Sequence, residues 1–156
     1  MPWLLNAVSD VIEFSVPGRA PAAMSPNSRV HWRQKHADGS AYGMAVYLLA
    51  QSAKPASWPS QGAERAMVTL TQYAVRPRDH DNLAASFKPG LDALTRAGII
   101  IDDRPSVIDL SLRAVKVKHE ADECVLVRIE RIDEHEWCYA EFHRCDGGGP
   151  GEHARF

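Results

Sequence analysis

The sequence predicts an α+β fold, a single domain in which a small mixed β-sheet is covered by two main helices. Three observations carry that expectation. Short β-rich runs and two longer segments of helix-forming residues follow in the order strand, helix, strand, helix, strand, strand. The 156 residues make one ordinary domain, and 45% hydrophobic with 24% charged residues is the balance of a globular chain. No apolar run approaches the roughly 20 residues of a membrane span.

The first strand is VIEFSV, Val11 to Val16, which is β-branched and alternating and ends at Pro17-Gly18. PGRAPAAMSPNSRVHWRQK follows. Its three prolines, and Arg29, His31, Arg33 and Lys35 around Trp32, predict an extended basic loop able to touch phosphates. A helix is expected from about Ser40 to Ala53, with Met44, Tyr47 and Leu48 as apolar positions and Lys54-Pro55 as its stop. The turn-rich SWPSQGAE leads into RAMVTLTQYAV, Arg65 to Val75, a long strand ending at Arg76-Pro77. Ser106 to Lys118 and Cys124 to Ile132 are two β-rich runs joined by HEADE, which predicts a hairpin with a longer loop. The domain is expected to span residues 1–134. Residues 135–156, which include GGGPG, carry no periodic signal and are expected to form a poorly ordered extension.

The formal charge of -2 conceals an asymmetry. Residues 1–118 hold 14 Lys+Arg against 10 Asp+Glu, and residues 119–156 hold 4 against 10. Five of the body's acids, Asp79, Asp81, Asp92, Asp102 and Asp103, fall in one segment; once a cation neutralises them, the body suits a polyanion. The N-terminal MPWLLNAVSDVIEF lacks a basic n-region and a small-residue cleavage site, and three cysteines without regular spacing argue against a secreted disulfide framework. Cytoplasm is the expected compartment, with no membrane partner.

The acidic segment is RPRDHDNLAASFKPGLDALTRAGIIIDDRPS, Arg76 to Ser106. Carboxylates crowded beside an apolar stripe repel one another and lose hydration unless a cation binds. Asp79 or Asp81 is a good N-cap for a helix that Gly98 would terminate. At about 100° per residue, Leu83, Phe87, Leu91 and Leu94 share one stripe, and Asp81, Lys88 and Asp92 share the opposite one. Pro89-Gly90 would kink that helix or start a second one. Gly98-Ile99-Ile100-Ile101 can then return the chain across the core and bring Asp102-Asp103 near the aspartates of the helix start. Three carboxylates from two segments make an oxygen-rich site suited to Mg²⁺, which commonly completes its coordination with a phosphate. Two such ions stabilise the attacking and leaving oxygens of a phosphodiester cleavage. Lys88 would stabilise charge on the phosphate or orient the attacking water.

Taken singly, each aspartate has a structural explanation: a cap, a solvated helix residue, a surface turn. An EF-hand loop from Asp79 fails, because it wants glycine and glutamate where this chain has Ala84 and Gly90. A phosphatase with an aspartate nucleophile fails too, because Arg76-Pro77-Arg78 intervenes between strand and first aspartate.

In order and spacing, DHDNLAASFKPGLDALTRAGIIIDD resembles the core motif of the RusA family of Holliday-junction resolvases, in its phage and prophage forms: Asp-x-Asp-Asn-Leu, a lysine, Leu-Asp-x-Leu, Ala-Gly and a terminal Asp-Asp. SPNSRVHWR is similar to the basic Pro-Asn-x-Arg segment of those members, so the resemblance runs from about residue 11 to residue 132. It implies a RusA-like α+β homodimer, an endonuclease dependent on Mg²⁺, with Mn²⁺ as a substitute, that nicks paired strands of a four-way DNA junction. It implies Asp79, Asp81 and Asp103 as metal ligands, Asp102 as a supporting carboxylate and Lys88 as the catalytic lysine. The family's best-known form has its lysine one helical turn after the second aspartate, where this chain has Ala85; the phage-type spacing puts it at Lys88.

Arg29, Arg33, Lys35, Arg76 and Arg78 are the expected phosphate contacts. His31 and Trp32 either meet distorted or unpaired strands or, for Trp32, anchor the loop to the core. His135, Cys138, His143 and Cys145 invite a zinc reading, but their spacing matches no common structural zinc pattern. The expected function is cleavage of branched DNA in recombination and repair. The alternatives are a junction-binding protein without the chemistry, and a nuclease acting on flaps or forks.

Overall fold

The alternation of VIEFSV is that of a strand with one buried face. In the computed structural model, which describes residues 11–132, β1 (Val11–Pro17) buries Ile12, Phe14 and Val16 and turns Glu13 and Ser15 to solvent. The further elements are α1 (Trp32–Ala53), β2 (Ala66–Ala74), α2 (His80–Arg96), β3 (Ile108–Lys116) and β4 (Cys124–Arg131). The strands make one four-stranded sheet in the order β1-β4-β2-β3, with β2 and β3 parallel and the other neighbours antiparallel. Tyr42, Val46 and Ala50 of α1 and Phe87, Leu91 and Leu94 of α2 share one core with Ile12, Leu70 and Val127 of the sheet. The expected α+β domain with a mixed sheet and two main helices is the one observed. The four-residue set from His135 to Cys145 and the extension at 135–156 lie outside the described residues.

Three expectations are corrected. The hairpin over residues 106–132 does not form, because β2 lies between the two strands that would have paired. Burial explains the order: β2 buries Ala66, Val68, Thr69, Leu70, Gln72 and Ala74 and so takes the centre, whereas Arg113–Lys116 of β3 are exposed and suit an edge. The crossover through α2 supplies the long connection that parallel pairing of β2 and β3 requires.

The second correction is to α1, which starts eight residues before Ser40. Residues 32–35, expected in an extended loop, are its first turn, and His31 is the N-cap, its Nδ1 accepting from the Arg33 N–H at 3.3 Å. The third concerns its buried face, which is Gly39, Tyr42, Gly43, Val46 and Ala50, while Met44 and Leu48 are 50% and 60% exposed. A stripe built from two glycines and an alanine is invisible to a count of large apolar residues. Its purpose is close approach: a Cβ at Gly43 would lie 3.1 Å from the Pro89 carbonyl oxygen, and one at Gly39 would lie 3.4 Å from Pro89 Cγ.

For α2 the periodicity holds. Leu83, Phe87, Leu91 and Leu94 are buried, and Asp81, Lys88 and Asp92 are exposed on the far side. One helix runs through Pro89, without the second start that Pro89-Gly90 allowed. Asp79 is the N-cap, its Oδ1 accepting from the Asn82 N–H at 3.0 Å. Gly98 ends the helix at φ 65°, with the Ile99 N–H reaching back to the Leu94 carbonyl at 3.0 Å.

The chain then crosses the core as expected. Ile99 and Ile100 are fully buried, and the Trp58 indole N–H donates to the Ile99 carbonyl at 2.9 Å. Ala63 forms a parallel bridge with Ile100, donating to Ile99 at 2.9 Å and accepting from Ile101 at 3.2 Å. Gly62 permits this approach, because its φ is 99° and a Cβ there would sit 2.7 Å from the Ile100 carbonyl carbon. Gly62→Ala is therefore expected to lower stability by roughly 1–3 kcal/mol or more, measured as a fall in the urea midpoint; an unchanged midpoint would show that the bridge yields without cost.

Candidate metal and nucleic-acid site

Two short segments carry the candidate chemistry, and the fold treats them differently. At the start of α2, the Asp79 carboxylate caps the helix. Asp81, one residue into the first turn, is exposed and has no partner for its carboxylate among the described residues. Both stand at the N-terminal end of the helix. Ser25 Oγ donates to Asn82 Oδ1 at 2.6 Å, so the SPNS segment is tied directly to the Asp-x-Asp-Asn turn. Beside this contact lies an open polar recess of about 480 Å³ lined by Ser25, Asn27, Ser28, Arg78, Asp79 and Asn82, with Ala22.

Asp102 and Asp103 follow the Ile99–Ile101 crossing. Asp102 Oδ1 accepts from the Asp103 N–H at 2.7 Å, and its Oδ2 pairs with Arg104 Nε at 3.3 Å. Asp103 Oδ2 pairs with Lys88 Nζ, and Lys88 also holds Asp92 at 3.0 Å. Lys88 thus joins the middle of α2 to the turn beyond it. The expectation that Asp102-Asp103 would return to the helix-start aspartates is corrected to this extent: the partner Asp103 meets is Lys88. Among the described residues, no three His, Cys, Asp or Glu side chains gather closely enough to hold a metal ion. The carboxylates of the second half are instead paired with cations, Asp103 with Lys88 and Asp102 with Arg104.

The pair shifts both groups. The hydrogen bond from Lys88 holds the Asp103 carboxyl below the ordinary carboxylate range, and the same bond to Asp103 holds the Lys88 ammonium above the ordinary lysine range. Because the folded Asp103 value is depressed, its contribution to stability is present above the ordinary carboxylate range and is lost as pH falls through the folded value. Because the folded Lys88 value is raised, its contribution persists until pH rises through that value. The pair is well exposed, so the contribution is no more than about 1 kcal/mol.

The fit to Mg²⁺ rests on the donors. They are hard carboxylate oxygens on exposed side chains, and Mg²⁺ is commonly held by one or two carboxylates with waters and substrate phosphate rather than by a full protein cage. Asp79 and Asp81 meet that description. Asp103 is held by Lys88, with Asp102 accepting from its backbone N–H.

The basic residues divide. Arg29, His31 and Arg33 are exposed at the start of α1, with Lys35 partly covered one turn on, and Arg33 Cζ lies 5.4 Å from the centroid of the Trp32 ring. Trp32 is 66% exposed, so the reading of it as an anchor to the core is corrected. Arg76 is exposed, its carbonyl accepting from Arg19 Nη2 at 2.8 Å. Arg78 is drawn inward: its Nη1 donates to the Ala20 carbonyl at 2.7 Å and to Ser86 Oγ at 3.0 Å, and its backbone N–H donates to Gln72 Oε1 at 3.0 Å. Burial, then the neighbouring Arg19, lowers the Arg78 pKa from its ordinary value. Arg78 therefore fastens the approach to Asp79 as well as facing the recess. Sequence reasoning passed over Ser86 and Ser25; a serine beside the apolar stripe of an amphipathic helix is the signal that could have found the first, which is fully buried.

Neither a scan of the chain against protein-family models nor a search of curated proteins returns a match. Among the described residues, no helix is long and apolar enough to cross a membrane.

Three outcomes follow from this geometry. Lys88→Met should move the Asp103 transition to higher pH in a carboxyl NMR titration, and an unmoved transition would show that the pair is not formed. Arg78→Met should cost about 2–3 kcal/mol in chemical denaturation, because it leaves the Ala20 carbonyl and the Ser86 hydroxyl without their donor. Arg76→Met should fall within about 0.5 kcal/mol.

Proposed function

We propose that this protein is a cytoplasmic, Mg²⁺-dependent, structure-selective endodeoxyribonuclease of the RusA type that nicks four-way DNA junctions as a homodimer in recombination and repair. The observation that carries the reading is the joint between the two halves of the resembling motif. Lys88, two turns along the face that bears Asp81, is bonded to Asp103 at the far end of the motif. The Ser25–Asn82 bond supports it, since it joins the basic Pro-Asn segment to the same helix start.

In this proposal Asp79, Asp81 and Asp103 hold Mg²⁺, with Asp102 beside them; Mn²⁺ takes the same hard-oxygen donors. The bound ion supplies charge stabilisation for the scissile phosphate and lowers the pKa of the attacking water. The chain's own part is positioning. Asp79 remains the N-cap and fixes the helix start, while Asp81 projects from the first turn with its carboxylate free of described partners. Lys88 pairs with Asp103 in the free protein, and on release its ammonium would be available to oppose charge on the phosphate. Arg29, His31, Arg33, Lys35, Arg76 and the part-buried Arg78 form the surface that meets the DNA backbone. Two such sites related by a two-fold axis suit a junction whose strands are cut in matching places.

Asp81→Asn should abolish junction cleavage in Mg²⁺ while leaving binding measurable, because the substitution removes a charge without disturbing a contact. The assay offers labelled four-way junction, flap and linear duplex to the purified protein. Full cleavage by the variant would sink the metal assignment. Tight binding without cutting by the unaltered protein would favour a junction-binding role, and cutting of flaps alone would change the substrate.

A further inference from the structure

The helix α1 presents a surface that the proposed chemistry does not use. Val30, Trp32, Met44 and Leu48 are large apolar side chains left exposed, and Trp32 at 66% is the most exposed of them. One side of the Trp32 ring is taken by the Arg33 guanidinium at 5.4 Å, and the His31 ring lies 5.7 Å away, tilted by 34°. From Trp32 an open groove of about 660 Å³ runs between α1 and α2, past Lys35, His36 and Met44 to Asp92 and Arg96. Its floor is low because Gly39 and Gly43 face Pro89 without side chains.

We propose that this groove seats an unpaired nucleotide of a nucleic-acid strand, with the base stacked against Trp32 and the backbone phosphates drawn to Lys35 and Arg96. Three features select that occupant. The volume falls within the range of small-ligand sites. The charge is complementary to a polyanion: residues 29–38 hold Arg29, Arg33 and Lys35 against Asp38 alone, and Asp38 is engaged by Gln34 at 2.7 Å. An exposed indole beside a guanidinium is the kind of stacking platform that binds bases without regard to sequence.

The groove touches the candidate site at one residue: Asp92 lines it and is the partner of Lys88, which in turn holds Asp103. The inference rests on the nuclease reading only for its substrate, a branched DNA with unstacked bases at the crossover; stacking itself does not require cutting.

Binding is the readout. A labelled oligonucleotide carrying 2-aminopurine is offered single-stranded, as a fully paired duplex, and within a four-way junction with the probe at the crossover. The full-length protein should bind the single strand and the junction more tightly than the duplex and should change the 2-aminopurine emission. Trp32→Ala should weaken both by roughly 5- to 150-fold and lose the emission change, and Trp32→Phe should keep most of each. Equal affinity and emission with Trp32→Ala would overturn the proposal, as would equal affinity of the unaltered protein for duplex and single strand. Sedimentation of the same variant separates the remaining occupant: loss of a dimer with unchanged DNA affinity would make this face a contact between copies of the chain and overturn the nucleotide seat. Stacking without cleavage would leave the groove standing and remove the nuclease reading, whereas cleavage with Trp32-insensitive binding would do the reverse.

Discussion

The close approach of α1 to α2 at Gly39, Gly43 and Pro89 is the constraint on which the rest of the molecule depends. A proline inside a helix gives up one backbone hydrogen bond and is tolerated only where the surroundings hold the helix together. Here the surroundings are a neighbouring helix with no side chains at the contact, so Pro89 can pack by its ring and its carbonyl. Gly90 completes the fit, since a Cβ there would meet the Phe87 ring at 2.7 Å, and that ring stands edge-on to Tyr42 of α1 at 5.9 Å. Because α2 stays one helix, its angular phase carries from Asp81 to Asp92, and one exposed row results.

The same helix pair fixes where the second half of the acidic segment arrives. Gln51 and Lys54 near the end of α1 donate to the Ala97 and Gly98 carbonyls at 3.0 Å each, and Trp58 donates to Ile99. Three consecutive carbonyls past the end of α2 are thus satisfied by side chains from the other helix and its following loop. With Ala63 paired to the next residues, the chain has little freedom before Asp102. Asp103 meets Lys88 because α1 holds the intervening strap.

Legibility in the sequence followed the size of the side chains that signal each element. β1 and α2 were readable because Ile12, Phe14 and Val16, and Leu83, Phe87, Leu91 and Leu94, are large and periodic. α1 was half readable, since its buried stripe uses Gly39, Gly43 and Ala50 and its first turns contain poor helix formers, so that packing rather than propensity decides its start. Strand neighbours were not readable at all: the polar edge of β3 is evident only once β4 is seen to claim the other side of β2. At the candidate site the individual carboxylates and Lys88 could be picked out by spacing, but their partners could not. A side chain's partner is set by where the strap lands, and nothing in the spacing says that an ammonium reaches Asp103 before a second carboxylate does.

That pairing also decides where negative charge remains. Between Asp79 and Arg104 the chain carries five aspartates and three Lys or Arg. Lys88 takes Asp92 and Asp103, and Arg104 takes Asp102, which leaves the helix-start pair Asp79 and Asp81 as the carboxylates without a cation. Their repulsion is moderated by the α2 dipole and by the Asn82 N–H on Asp79, contributions of about 0.3–1 kcal/mol for each charge at a helix end. The fold thus keeps two carboxylates without a cation at one exposed helix start. The cation of the proposed function would have to take Asp103 from Lys88, in a segment whose fold is already built. Crowded acids that look like a liability in the sequence are, in the folded chain, mostly paired already, with the unpaired remainder concentrated at the start of α2.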